Sequence, residues 1–170
     1  MVAFAIHGIA LAGSMALQEQ VLQVHLDIAK EALKHLVQRT NGFVPASLTS
    51  ESGHFPAIGL RLEPGEIPPM GAYYPEFSLK LDCYHPEEAW EGVRELRLQY
   101  LNADPGGLCS YAAAWLASVM GVPCPLRGQA LVKVNGREVG LYTLIEESAG
   151  AVIARHFGQQ STGSLFTVQE

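Results

Sequence analysis

The sequence predicts an α+β fold, a mostly antiparallel sheet of about six strands with one central helix. Three observations carry this expectation. Short strand-like runs alternate with turns, and 17 glycines and 10 prolines supply those turns. Asn135-Gly136, set between two apolar runs, marks a β-hairpin, because the pair accepts the two positive φ angles of a type I′ turn. One long helical pattern, residues 108–120, stands between the fourth and fifth strands.

Each element follows in order. Residues 21–26 alternate and read as a strand leading into a helix, with Asp27 placed to accept from the free N–H groups of the first turn. Ile28, Ala32, Leu33, Leu36 and Val37 recur at helical spacing, and Asn41-Gly42 ends that helix. Residues 43–49 and 57–62 read as strands around a polar turn at 50–53. A Pro/Gly loop at 65–71 precedes two more strands, 77–84 and 94–101, joined through 85–92. Asn102-Ala103-Asp104-Pro105 reads as a helix start, with Asp104 as cap and Pro105 at the first helical position. That helix runs to Met120, where Gly121 fits its end and Pro123 and Pro125 prevent continuation. The hairpin strands 131–134 and 139–145 come next. A short helix at 152–157, stopped by Gly158, and a last strand at 164–168 after Gly163 complete the chain.

The 170 residues suit one domain, or one lobe of a larger protein. Apolar side chains make up 48% and charged ones 16%, against about 25% charged in globular chains. Disorder is excluded, because it requires low hydrophobicity with high net charge. Eleven Lys and Arg are scattered through a chain of net charge −6, which excludes a basic nucleic-acid footprint. Residues 108–120 hold no charge at all, and such a helix is expected to be buried or covered by a partner.

The leading segment, residues 1–20, is apolar as far as Leu17, and its first charge is Glu19. It has the core of an export signal and a small-residue site at Ser14-x-Ala16, but no positive residue precedes it. A signal or its remnant, a buried first element and an arbitrary start all remain open. Cys83, Cys109 and Cys124 form no C-x-x-C and read as buried reduced thiols; Cys83-x-His85 is a conceivable ligand pair, though a lone pair is more often chance. No G-x-S-x-G, P-loop or H-E-x-x-H supports a distinct small enzyme.

Several stretches share wording with a known family. They are VPASLT at 44–49, IGLRL at 58–62, FSLKLD at 77–82 and Gly92 with LRL at 96–98. NADP at 102–105, GVP at 121–123, VKVNG at 132–136, GLYTLIE at 140–146, Phe157-Gly158 and GSLF at 163–166 follow. Over about residues 21–168 they resemble the N-terminal half of the CotH kinases, the kinase-like proteins named after spore-coat protein H. The resemblance implies an atypical protein-kinase N-lobe spanning residues 21–170, with the C-lobe absent. It implies ATP and magnesium as cofactors and a protein as substrate in the full-length family, with no cofactor assigned to this chain alone.

Under that resemblance Lys80 is the candidate phosphate lysine, and Arg61 a bidentate phosphate partner. Glu146, with Ile145 and Glu147, stands where a kinase hinge would offer backbone groups to adenine. Loop 63–71 stands where a glycine-rich cover would be, stiffened by Pro64, Pro68 and Pro69. No catalytic or metal residue is assigned, because the family's catalytic loop and magnesium aspartate belong beyond Glu170. Charge is also lost at matched positions: Cys109 and Ser110 replace an Arg and an acid, Glu63 and Thr167 replace lysines, and Ala149 replaces an Asp. The chain is therefore expected to be inactive alone, its partner being the missing C-lobe or another protein. The alternative is a non-catalytic scaffold or interaction module of the spore coat or cell envelope. Nucleic acid is not expected as a partner, nor a membrane apart from an N-terminal signal.

Overall fold

The computed structural model describes residues 21–38, 42–63, 75–100 and 108–158. The expectations for the leader, Asn41, Pro64 with the 65–71 loop, the Asp104-Pro105 helix start, the 164–168 strand and Thr167 lie outside the described residues.

Seven strands form a closed barrel. β1 (Leu22–Asp27), β2 (Val44–Ser50), β3 (Gly53–Leu62), β4 (Phe77–Lys80) and β5 (Glu95–Tyr100) follow the expected runs with shifted ends. β6 (Arg127–Val134) and β7 (Arg137–Glu146) form the predicted hairpin, with φ of 49° at Asn135 and 78° at Gly136. Around the barrel the order is β1-β2-β3-β4-β5-β7-β6, and all these neighbours are antiparallel. β6 then closes the ring by running parallel to β1, from Leu22 opposite Ala130 to Leu26 opposite Val134.

This overturns the α+β expectation of a kinase-type N-lobe around a central helix. Among the described residues the fold is a mixed β-barrel carrying three short helices. Strand periodicity is local, whereas the closing pair lies more than a hundred residues apart in sequence. Nothing in a period-2 pattern names its partner.

The barrel interior is filled by alternate residues of every strand. Val24, Leu26, Leu48, Ile58, Leu60, Leu98 and Tyr142 are all fully buried. The Asn135 turn also bolts the closure in place. Its Oδ1 accepts from Ile28 N–H at 2.7 Å, its Nδ2 donates to Ile28 O at 3.1 Å, and its own N–H donates to Leu26 O. Asp27 therefore does not cap α1 (Lys30–Val37). It stays in β1 opposite Ser47, and Ala29 stands at the helix start without a side-chain bond.

β4 runs into a tight 3-10 turn, Leu81–Cys83, that crosses β3. A side chain at Gly59 would place its Cβ 2.8 Å from Cys83 Sγ, so glycine is needed for the close approach. Trp90 is buried beside Phe55, and its indole donates to Ser52 Oγ at 2.8 Å.

α2 (Leu108–Val119) decides between burial and a covering partner, because the barrel does not bury it. Of its described side chains only Ala114 is buried, and Trp115 and Leu116 are half exposed. Cys109 is likewise exposed rather than buried, while Cys83 and Cys124 are half-buried free thiols. α3 (Ala149–Phe157) starts from Ser148, whose hydroxyl accepts from Ala151 N–H. Among the described residues no helix is long and apolar enough to cross a membrane.

Candidate functional site

The sequence-derived site residues fall on two sides of the barrel wall. Arg61 on β3 stands opposite Ser78 on β4, and Ser78 opposite Arg97 on β5. Two positions along β4, Lys80 stands between Gly59 and Glu95. Because alternate strand residues share a face, Lys80 and Arg61 lie together on the outer surface. Glu146 does not join them. It follows Tyr142 and Leu144 along the inward face of β7, and its side chain is fully buried.

On the outer surface every one of these cations meets a carboxylate. Lys80 Nζ lies 3.1 Å from Glu95 Oε1, and the hydrogen bond and charge of Glu95, then the charge of Asp82, raise the Lys80 pKa above its usual 10.5. Arg61 Nη2 donates to Glu63 Oε1 at 2.6 Å, and its guanidinium lies over the Phe43 ring at 5.0 Å. The Ser78 hydroxyl, itself buried, also donates to Glu63. Burial pushes the Glu63 carboxyl up, but the Ser78 and Arg61 hydrogen bonds and the Arg61 and Arg97 charges outweigh it, so its pKa is lowered. Arg97 donates to Glu76 at 2.8 Å and lies 3.6 Å from Glu147. Burial disfavours the charged Arg97, but Glu76, Glu147 and Glu63 more than restore it, and its pKa is raised.

The inner group is a plug. Glu146 Oε2 accepts from Leu126 N–H at 3.0 Å, and its Oε1 accepts from Arg155 of α3. The backbone here is spoken for as well: Glu146 N–H donates to Leu126 O and Glu147 N–H to Glu95 O, both at 3.0 Å. None of α3's described side chains is fully buried; residues 151–154 are half-buried, and Arg155 adds the ion pair that ties the helix to Glu146 at the barrel end.

Sequence reasoning missed Ser78, Glu95, Arg97 and Arg155. The signal for three of them was present: Ser78, Glu95 and Arg97 alternate with inward leucines on β4 and β5, so they share the outer face of Arg61 and Lys80. Arg155 had no such signal. Glu63, noted as a reversal of the family's lysine, proves to be the residue that holds Arg61. Among the described residues no group of three His, Cys, Asp or Glu side chains is placed to hold a metal ion.

The family model described as CotH kinase protein matches residues 71–170, more than half of the chain. The chain belongs to the CotH family. The match runs from before β4 through the hairpin and α3, whereas β1 to β3 lie ahead of it. No curated protein matches the chain.

Proposed function

We propose that this CotH-family chain is a non-catalytic module that works through protein association rather than phosphoryl transfer. One observation carries the reading: the backbone N–H donors of Glu146 and Glu147, which stand where a hinge would meet adenine, are already bonded within the barrel. The Glu146 and Glu147 N–H groups, the donors expected to meet adenine, are bonded to Leu126 O and Glu95 O. Lys80 and Arg61, the cations expected to meet phosphate, stand in partly exposed pairs with Glu95 and Glu63, and an acid beside the lysine does not itself exclude phosphate. Phosphoryl transfer relies on positioned cations and metal-bearing carboxylates to neutralise the transferred group. Here the carboxylates of Glu63, Glu76, Glu95 and Glu147 outnumber the cations Lys80, Arg61 and Arg97, so the outer face repels a polyphosphate. Among the described residues, none forms a carboxylate group suited to hold magnesium beside a nucleotide.

Calorimetric titration of ATP with magnesium into the wild type and Lys80→Ala tests this. The expected result is no saturable binding by either protein up to about 1 mM. Submillimolar binding by the wild type that Lys80→Ala loses would overturn the reading. It would favour instead the N-terminal part of an ATP-dependent protein kinase.

A further inference from the structure

We infer that the exposed face of α2 pairs with the same face of a second copy of this chain, the two helices running antiparallel about a twofold axis near the level of Ala114. The inference is independent of whether the chain binds nucleotide.

The first support is the position of the exposed residues. Cys109, Ala112, Leu116 and Val119 are all exposed, and they recur at intervals of three and four. That spacing draws a single seam along a helix, the arrangement through which helices pair side by side. Met120 extends the seam at 68% exposure, and Trp115 flanks it at 51%. Ala114 and the half-buried Ala117 and Ser118 face the barrel instead.

The second support is charge. A twofold contact sets each residue against its own patch, so any net charge in the patch would repel itself. No charged side chain lies between Leu108 and Leu126, in a chain of net charge −6. This is the one described helix with neither acidic nor basic residues.

The third support is size, and it sets the direction. The seam is small in its first half, Cys109 and Ala112, and large in its second, Leu116 and Val119. Antiparallel pairing puts Cys109 against the partner's Val119 and Ala112 against the partner's Leu116, so each large side chain meets a small one. Parallel pairing would set alanine on alanine and leucine on leucine, leaving a gap at one end and a bulge at the other. A helix of 12 residues is about 18 Å long, and so short a contact buries less than the ~800 Å² per partner of a standard interface. The expected dimer is accordingly weak, with a Kd of about 10–100 μM.

Sedimentation equilibrium of the full chain across that range should show a reversible monomer–dimer equilibrium. Leu116→Lys, which places a charge on the seam, should raise the Kd more than about tenfold while circular dichroism stays unchanged. The exchange of sizes, Ala112→Leu with Leu116→Ala, should return the Kd to within about threefold of wild type, and each single change should weaken it. Incubation with oxidised glutathione adds a test of direction. Two thiols and one glutathione disulfide give a protein disulfide and two reduced glutathiones, and antiparallel copies should give no Cys109–Cys109 product on peptide mapping. A monomer at every concentration, or an unchanged Kd for Leu116→Lys, would overturn self-pairing and leave the face to a different protein. A Cys109–Cys109 dimer would overturn the antiparallel arrangement.

Discussion

Two ion pairs of like chemistry, Glu146–Arg155 and Lys80–Glu95, occupy opposite sides of the same barrel wall. The Glu146 side chain is 0% exposed, whereas Lys80 and Glu95 are 37% and 42% exposed. Water screens the outer pair and replaces either partner at little cost. The inner carboxylate is shielded from bulk solvent by its neighbours, including the partly exposed Arg155, so its weight lies in what losing that partner would leave behind. A residue's charge alone therefore says little about its weight in this molecule; the face of the strand it occupies says most of it.

The contrast is sharpest with Arg155→Ala. Removing the guanidinium leaves Glu146 with only the Leu126 N–H as partner, and a loss of about 3–5 kcal/mol is expected in urea unfolding. Limited proteolysis should then open at α3, which no buried side chain holds. Near-wild-type stability would erase the distinction between the two sides.

Glu63 is intermediate, partly covered by Arg61 and Ser78. Its folded pKa lies below 4.5, so its contribution is present above that pH and is lost as pH falls through the folded value. The wild type should exceed Glu63→Gln in stability at pH 7, and the gap should close in unfolding series taken below pH 4.5. A gap that stays constant with pH would remove the carboxylate from the account.

The smallest effect is expected for Lys80→Ala, under about 1 kcal/mol and abolished by high salt. With the folded Lys80 pKa raised above 10.5, even this contribution is full at neutral pH and disappears only as pH rises through the folded value. Thermal unfolding in low and high salt measures it.

The sequence was legible where structure is local. Asn135-Gly136, the alternation of β4 and β5 and the Gly158 stop of α3 are set by neighbours a few residues apart. Closure was not, because β1 finds β6 only in three dimensions. The site followed the same rule. Lys80 and Arg61 read correctly as strand residues, but Glu95 becomes the partner of Lys80 only through the β4–β5 register. Glu146 carried an overlooked signal, since Tyr142, Leu144 and Glu146 keep one parity and the first two are plainly core. For α2 the missing charge left burial and a covering partner both open, and only the fold shows that its apolar side faces outward.

The parallel seam between β1 and β6 has a consequence for where the folding unit begins. The recognisable family segment starts at residue 71 and contains β4 to β7, but β1 to β3 complete the circle. A polypeptide begun at residue 71 would leave β4 and β6 as raw edges, each offering unpaired N–H and C=O groups to any other strand in solution. The family-model match and the folding unit thus have different borders in this chain: the matched segment depends for its closure on the three strands ahead of it.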